Sequence, residues 1–294
     1  MKKLMIFVFC AVLCVALTSC EKENDGKYNP KKKIQKVYKD FYGEKVLDQI
    51  WNWDGKLLSR IDCYLNGEVV HTINYTYDSK NHITMISAEG EHLDFVYEKG
   101  HIKTLNHFFL DELVADFTFF YNNNKLSKIE WERYNVPLKN NSFENKLWPL
   151  AGLMPQGYEM LEKEIQKMFT QSKGEEKIIL DLTWEGKNVS HICLYSEREP
   201  EETKEVSYTY DNNINPLKGW SRTWLENVLG LWYDDYHTYL SYGNVLTADY
   251  SNKKDGVEYN HISMNYVYEY DGKYPVKETA TFGSEPYFIR YYEY

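Results

Sequence analysis

The chain has 294 residues, of which 34 are basic and 44 are acidic, so its formal net charge at pH 7 is −10. An acidic protein lacks the basic surface that nucleic acids and anionic lipid headgroups require, and the charge therefore argues against both as partners. The length is enough for one large β-rich domain or two smaller ones.

The first twenty residues are typical of an export signal. Lys2 and Lys3 precede an apolar run from Leu4 to Leu17, which is shorter than the roughly 20 residues that a membrane-spanning helix needs. The run ends in Leu17-Thr18-Ser19-Cys20, which resembles the lipobox of bacterial lipoproteins. The resemblance implies a signal peptide over residues 1–19 and acyl chains on Cys20 that anchor the protein to a membrane. The alternative is an ordinary secretory signal that contains a cysteine by chance.

Residues 20–34 form a charged segment, which predicts a tether between the lipid and the folded domain. Its start, Glu21-Lys22-Glu23-Asn24-Asp25, resembles the export signal of Bacteroidetes surface lipoproteins, and a solvated linker is the alternative. Loss of residues 1–19 would remove Lys2 and Lys3 but no acidic residue, which leaves a net charge of about −12.

Two cysteines remain once Cys10 and Cys14 have left with the signal and Cys20 is acylated. These are Cys63 and Cys193, and they have no zinc-binding spacing. In an oxidising compartment they could form a disulfide, and two isolated thiols on different strands are equally consistent with the sequence.

An irregular repeat organises residues 35–294, which we interpret as a single β-rich domain. In each unit two aromatic residues are followed by an acid, a turn, and then two aliphatic residues three positions apart. Examples begin with Trp51-Asn52-Trp53-Asp54-Gly55 and with Tyr75-Thr76-Tyr77-Asp78. Further copies begin at Phe95, Phe119, Leu182, Tyr208 and Tyr268. Aromatic residues at i and i+2 share one face of a strand, so each unit predicts a β-hairpin. Neighbouring hairpins are expected to pair as an antiparallel meander with cross-strand aromatic contacts.

Two segments interrupt this rhythm. Over residues 146–172 apolar residues recur at the helical period, with Leu161, Ile165 and Met168 opposite Glu162 and Lys167, which predicts an amphipathic helix packed on the sheet. From Asn215 to Tyr239, Pro216 and Gly219 predict a loop that contains a short helix around Trp224.

Several segments resemble one uncharacterised family of Bacteroidetes outer-membrane lipoproteins that is described as porin-like in fold. They are the Tyr-x-Tyr-Asp turns, Asn215-Pro216-Leu217, the run from Leu240 to Val245, and Tyr268-Glu269-Tyr270-Asp271-Gly272. The units are also similar to the tyrosine-aspartate repeats of Rhs-type proteins, which form longer arrays. The resemblance implies a mainly β fold, a large curved antiparallel meander or partial barrel of hairpins with one inserted helix. It implies no activity.

Sequence motifs for catalysis or metal binding are absent. There is no Gly-rich phosphate loop, no GxSxG elbow and no HExxH helix. The histidines that cluster in one stretch have no ligand spacing; they are His71, His82, His92, His101 and His107. Glu89 and Glu91 flank Gly90, which is typical of a polar hairpin tip. We therefore expect no cofactor, no metal and no enzymatic activity.

One segment has the composition of a binding surface. Trp220, Trp224 and Trp232 lie near Asp234 and Asp235 in the stretch that is expected to leave the sheet. Indole faces pack on sugar rings while carboxylates bond the sugar hydroxyls, so these five are candidate ligand-binding residues. The favoured alternative is a hydrophobic plug that closes one end of the curved sheet.

Together these features predict an outer-membrane lipoprotein anchored through Cys20, on the cell surface or the periplasmic face. Its β domain is expected to be a non-catalytic binding or scaffold module for a glycan, a peptide or an envelope protein. One alternative is an extracellular hydrolase whose fold brings two carboxyl groups to about 5 to 9.5 Å from each other. A second is a purely structural envelope protein.

Overall fold

The computed structural model describes residues 27–41, 43–88, 90–109, 111–134, 176–219 and 240–294. Within these ranges the chain forms sixteen strands: β1 (Lys36–Phe41), β2 (Glu44–Asp54), β3 (Leu57–Leu65), β4 (Glu68–Tyr77), β5 (Ile83–Ala88), β6 (Glu91–Glu98), β7 (His101–Phe109), β8 (Glu112–Asn122), β9 (Lys125–Arg133), β10 (Glu176–Glu185), β11 (Asn188–Ser196), β12 (Glu202–Tyr210), β13 (Val245–Lys254), β14 (Val257–Asp271), β15 (Tyr274–Phe282) and β16 (Glu285–Glu293). The signal segment at residues 1–19 and the helix expected at residues 146–172 lie outside the described residues.

Each strand pairs antiparallel with the next strand in sequence, so the expected meander is confirmed. β1 also pairs with β16, where Lys36 is the register partner of Glu293 and Val37 that of Tyr292. This pairing closes the sheet into a complete barrel rather than a partial one. Closure removes the two unpaired edges that an open sheet would expose.

Apolar side chains fill the inside of the barrel. In one row of register partners, the neighbours across five strands are Phe95, Leu105, Phe117, Trp131 and Ile178. All five side chains are buried, and the rings of Phe117 and Trp131 stack with centroids 5.4 Å apart. Because a closed sheet shields only its inner surface, such rows identify the inward-facing side of each strand.

A β-bulge explains the aliphatic pair in each repeat unit. Residues three apart on a regular strand point to opposite faces, yet Leu58 and Ile61 are both sealed inside. The register between β2 and β3 shifts after Asn52, which leaves Ser59 as an extra residue between the two. The same shift occurs beside Tyr77, Tyr97, Tyr121 and Trp184. The bulge turns both aliphatic side chains inward.

In several units the second aromatic residue links one hairpin to the preceding part of the chain. The phenol of Tyr77 donates a hydrogen bond to the main-chain oxygen of Leu58 at 2.7 Å. Equivalent bonds run from Tyr97 to Ile83, from Trp184 to Leu126 and from Tyr210 to Val189. Burial raises the pKa of Tyr77 and of Tyr210, so both phenols remain protonated donors.

The turns of the repeat units all lie at the same end of the barrel. The segment 27–35 that leads into β1 and the described parts of the connection from β12 to β13 lie there too. We call this end of the barrel the plugged end. Tyr28 is buried there against the rings of Trp51 and Trp53, with centroids 6.0 and 5.7 Å away, and its phenol donates to the main-chain oxygen of Pro216 at 2.7 Å. The opposite end, which we call the far end, carries the remaining turns.

Charged pairs occupy the outer face of the barrel. Glu130 accepts hydrogen bonds from Lys128 at 2.6 Å and from Lys177 at 3.2 Å, and the bond from Lys128 is the main reason that the pKa of Glu130 is lowered. Lys253 donates to Glu205 at 2.6 Å on the same face. The outer face is therefore charged over these strands, whereas the buried side chains of the inner face are mostly apolar.

Cys63 and Cys193 lie on opposite faces of the wall. Cys63 packs against the apolar interior, whereas the register partners of Cys193 are Asp181 and Glu205 on the outer face. Neither forms a disulfide. Burial, then Glu205 and Asp181, raise the pKa of Cys193 to about 11, which keeps its thiol unreactive. Of the two possibilities left open by the sequence, the structure has the isolated thiols.

Candidate functional site

Four charged side chains form a row on the inner wall, on consecutive strands around the point of closure. Glu278 of β15 is the register partner of Arg290 of β16, and Arg290 is the partner of Lys39 of β1. Asp48 follows on β2. We call these four residues the lumenal quartet.

A bulge in β2 places Asp48 in this row. Val37 faces Gln49 and Tyr38 faces Leu47, so Asp48 is an extra residue with no register partner on β1. At such a bulge two successive side chains can point to the same face. Asp48 consequently reaches Lys39, whose Nζ lies 2.8 Å from its Oδ1.

The quartet consists of two ion pairs that differ in burial. The Nη1 of Arg290 lies 3.3 Å from the Oε2 of Glu278, and the second pair is Lys39 with Asp48. The side chains of Asp48 and Glu278 are only 8% and 9% exposed. Those of Arg290 and Lys39 are 21% and 44% exposed. The cations thus lie nearer to solvent, and the carboxylates lie behind them in the wall.

Two tyrosines contact the carboxylate of Glu278. Tyr292 donates a hydrogen bond to the Oε2 of Glu278 at 2.6 Å, and the phenol of Tyr268 lies 3.5 Å from its Oε1. Burial first, and then the charge of Glu278, raise the pKa of Tyr268 well above its ordinary value. Among the described residues, the Oδ2 of Asp48 is buried without a hydrogen-bond partner. A buried acceptor of this kind is uncommon in folded proteins.

Inward-facing side chains differ in accessibility around the barrel. Leu58, Ile83 and Ile102 near the plugged end are fully sealed. Val46, the register partner of Lys39, is 40% exposed although it shares the inner face with the quartet. Lys39 and Val46 are therefore open to solvent in this part of the inner wall.

The plug blocks approach from the other side. The amide of Asn215 donates to the main-chain oxygen of Ser241 at 3.0 Å, and the side-chain oxygen of Asn188 accepts the main-chain N–H of Tyr242 at 2.8 Å. Gly243 is required here, because an added Cβ would lie 2.4 Å from the main-chain oxygen of Asp211. A cavity of about 20 Å³ between plug and wall has room for one water molecule.

A second polar pair lies near the far end. The Nε2 of His107 is 3.8 Å from the Oε2 of Glu91, and both side chains are nine-tenths buried. The His92 ring beside them stacks on Phe108, with centroids 4.5 Å apart. The histidine stretch thus forms separate structural contacts. In the described ranges no three His, Cys, Asp or Glu side chains gather as metal ligands.

The site residues proposed from sequence fall outside the described residues. These are Cys20, Trp220, Trp224, Trp232, Asp234, Asp235 and Glu89. The described flanks of the tryptophan segment, residues 211–219 and 240–244, belong to the plug and lie outside the strands, as expected for that connection.

Sequence reasoning missed the lumenal quartet. The sequence around Arg290 offered a usable signal. Arg290 is the one charged residue in the aromatic and aliphatic run from Tyr287 to Tyr292, and it is two positions from both Phe288 and Tyr292, so it shares their face of the strand. Asp48 offered none, since its orientation depends on a bulge that the local sequence does not reveal.

Known structures share this architecture. The fold is similar to a porin-like protein from Bacteroides vulgatus ATCC 8482, with a TM-score of 0.51 and 11% sequence identity over 90% of this chain and 99% of that one. A porin-like protein from Bacteroides uniformis ATCC 8492 gives a TM-score of 0.46 and 11% identity over 90% of this chain and 98% of that one.

No protein-family model and no curated protein matches the sequence. Among the described residues no helix is long and apolar enough to cross a bilayer. The comparison with the Bacteroides vulgatus protein establishes the fold alone, which is a closed, porin-like, antiparallel β-barrel.

Proposed function

We propose that the chain is an outer-membrane lipoprotein, held by acyl chains on Cys20, whose barrel is a non-catalytic binding or scaffold module that stands in water. The observation that carries this proposal is the polarity of the wall. A membrane-spanning barrel has an apolar outer band, and each charge on its lipid face costs about 2 to 4 kcal/mol at the midplane. The ion pairs of Glu130 and Glu205 on the outer face favour water outside the barrel.

A barrel that stands in water needs a separate anchor in order to remain at a membrane. The lipobox-like Leu17-Thr18-Ser19-Cys20 provides one, 16 residues before β1 begins at Lys36. Several acyl chains hold a protein stably, because each buried methylene contributes about 0.8 kcal/mol. The porin-like fold of the Bacteroides neighbour supports the outer membrane as the location.

The lumenal quartet favours binding over hydrolysis. Asp48 and Glu278 are separated by two intervening strands, so their backbones are about 14 Å apart along the wall at the usual strand spacing. Glycosidase carboxyl groups lie about 5 to 9.5 Å apart. Each of these carboxylates is also neutralised by its own cation. A ligand in the lumen would instead find the exposed ammonium group of Lys39.

Fractionation and labelling test the anchor. Radiolabelled palmitate should enter the wild type and not Cys20→Ala, while Cys10→Ala should label normally. The chain from Glu21 onward, exported behind a cleavable secretory signal, should appear in the aqueous fraction. Its retention in carbonate-washed membranes would contradict the proposal, because only a membrane-embedded barrel stays there without a lipid.

Binding is tested with Lys39→Gln and its matched control Lys45→Gln, which removes the same charge from the outer face of the adjacent strand. Both proteins are screened against glycan and peptide arrays. We expect a ligand whose affinity falls at least about tenfold in Lys39→Gln and stays unchanged in the control. Equal affinities would place binding elsewhere, and cleavage of a bound probe would overturn the non-catalytic assignment.

A further inference from the structure

Every described turn at the plugged end carries a lysine. These turns span residues 54–57, 78–82, 98–101, 122–125, 185–188, 211–219 and 271–274. In the same order, their lysines are Lys56, Lys80, Lys99, Lys125, Lys187, Lys218 and Lys273. The segment that leads into β1 adds Lys27, Lys31, Lys32 and Lys33. Among the described residues of these turns and of segment 27–35, eleven lysines stand beside six acidic residues, although the whole chain has a net charge of −10.

Two of the acidic side chains at the plugged end point back into their own turns. Asp78 accepts the main-chain N–H groups of Lys80 and His82 at 2.8 and 2.9 Å. Asp211 accepts those of Asn213 and Asn244 at 3.1 and 2.8 Å. The lysines of the same turns project outward instead, and Lys56, Lys80, Lys99, Lys187 and Lys273 are exposed.

The far end has the opposite charge. Its turns at residues 43–44, 65–68, 90–91, 111–112, 196–202 and 254–257 contain ten acidic residues and two basic ones, Arg198 and Lys254. The acidic ones are Glu44, Glu68, Glu91, Asp111, Glu112, Glu197, Glu199, Glu201, Glu202 and Asp255. The described barrel therefore has a basic end and an acidic end, which the net charge conceals.

The chain leaves the barrel at the basic end. Lys27 lies beside the buried Tyr28, and it is only seven positions after Cys20 in the sequence. A fully extended chain of that length spans about 24 Å. A lipid on Cys20 would thus hold the plugged end, and not the far end, close to the bilayer surface.

We propose that the plugged end is a docking surface for an anionic lipid bilayer. Its exposed lysines are complementary to headgroup phosphates, and basic side chains near an anionic surface each contribute attraction that falls off within a Debye length. The acidic far end is repelled by the same surface. The barrel consequently stands with its plugged end on the membrane and its quartet-lined lumen directed away. For one end of the molecule, this proposal differs from the expectation drawn from the overall charge.

Vesicle sedimentation tests the surface without any contribution from acylation. The mature chain from residue 20, carrying Cys20→Ala, is mixed with vesicles of phosphatidylcholine alone or with 30% phosphatidylglycerol. We expect binding only to the anionic vesicles and its loss in about 0.5 M NaCl. The fourfold variant Lys56→Gln, Lys80→Gln, Lys99→Gln and Lys273→Gln should bind at least about 100-fold more weakly, at roughly fivefold per lysine.

A variant of equal net charge is the matched control. Lys45→Gln, Lys204→Gln, Lys253→Gln and Lys254→Gln remove four charges from outside the plugged end, and affinity should stay within about threefold of the parent. Equal losses in the two sets, equal binding to neutral vesicles, or no binding to anionic ones would overturn the proposal. So would binding of a DNA duplex through the same four lysines without binding to vesicles. Because the protein is not acylated, a failure here is distinguishable from a failure of the anchor.

Discussion

The phenol of Tyr77 donates a hydrogen bond to the main-chain oxygen of Leu58, which lies on a neighbouring hairpin and is 19 residues earlier in the chain. This contact links consecutive repeat units near the plugged end. The same kind of bond to a main-chain oxygen explains why the second aromatic position in the unit is Tyr or Trp at Trp53, Tyr77, Tyr97, Trp184 and Tyr210. Phenylalanine has no donor for this bond.

Tyr77→Phe should destabilise the protein by about 1 to 2 kcal/mol, because the oxygen of Leu58 loses a donor in a half-buried environment. Urea unfolding monitored by circular dichroism measures the change. Tyr259→Phe is the control, since Tyr259 is exposed, and it should leave the unfolding midpoint unchanged. Similar midpoints for the two variants would show that the contact contributes nothing.

Gly272 has a φ of +63° in the turn between β14 and β15, with open space where a Cβ would lie. Gly272→Val should therefore cost about 1 kcal/mol or more through backbone strain alone. Gly272→Asn should cost much less, because asparagine tolerates the left-handed region. Equal thermal shifts for the two variants would argue for lost chain flexibility as the cause.

Glu278→Ala would leave Arg290 and Tyr292 without their shared carboxylate inside the wall. Breaking a buried pair of this kind costs about 3 kcal/mol or more. Glu269→Ala is the matched control, because Glu269 pairs with Lys277 at 2.8 Å on the exposed surface, where such pairs contribute about 0 to 1 kcal/mol. A smaller loss for Glu278→Ala than for Glu269→Ala would contradict a structural role for the quartet.

Asp78 should make stability depend on acidic pH. Burial opposes ionisation, but hydrogen bonds from His82 and Lys80 prevail and lower the pKa of Asp78 to about 2. A carboxyl group has a pKa of about 3.9 in the unfolded chain, so the contribution is complete above that value and is lost as the pH falls toward 2. Asp78→Asn should remove this part of the pH dependence in urea midpoints measured at pH 7, 4 and 2.5. An unchanged profile would assign it to other groups.

The tryptophan segment is expected to complete the plug, as its described flanks do. Trp224→Ala and Trp232→Ala should then each cost about 3 to 5 kcal/mol, as buried large-to-small changes. Asp234→Asn and Asp235→Asn should alter little. The opposite pattern, with normal melting and weaker binding of a glycan in all four variants, would support Trp220, Trp224, Trp232, Asp234 and Asp235 as a ligand surface. Thermal melting and binding isotherms on the same preparations decide between the two.

The repeat pattern was sufficient to predict the hairpins and their antiparallel order, because alternation and turn residues act over a few positions. The aliphatic pair of each unit, such as Leu58 and Ile61, also indicates the bulge. Two residues three positions apart can both face the interior only if a bulge lies between them. Closure between β1 and β16 was not predictable in this way. It depends on the summed curvature of the strands, and no local pattern near Val37 or Tyr292 records their pairing.

The same limit applies to the lumenal quartet and to the basic end. Lys39 and Arg290 are 251 positions apart in sequence and become neighbours only when the ring closes. Each turn lysine on its own gives no signal. Alternate turns of an antiparallel meander lie at the same end of the barrel, and the lysines share one end because they lie in alternate turns. Net charge averages over both ends and therefore hides the asymmetry.

The pairing of β1 with β16 also sets the order of events during biogenesis. The N–H of Gln35 donates to the oxygen of Glu293 at 2.7 Å, so the ring is complete only when nearly the whole chain is available. A chain that emerges from a ribosome or a translocon exposes the unpaired amides of β1 throughout that time, together with those of the newest strand. Such edges recruit other chains, and long-range closure is slow. The protein therefore has its greatest need for a holding chaperone between the synthesis of its first strand and that of its last.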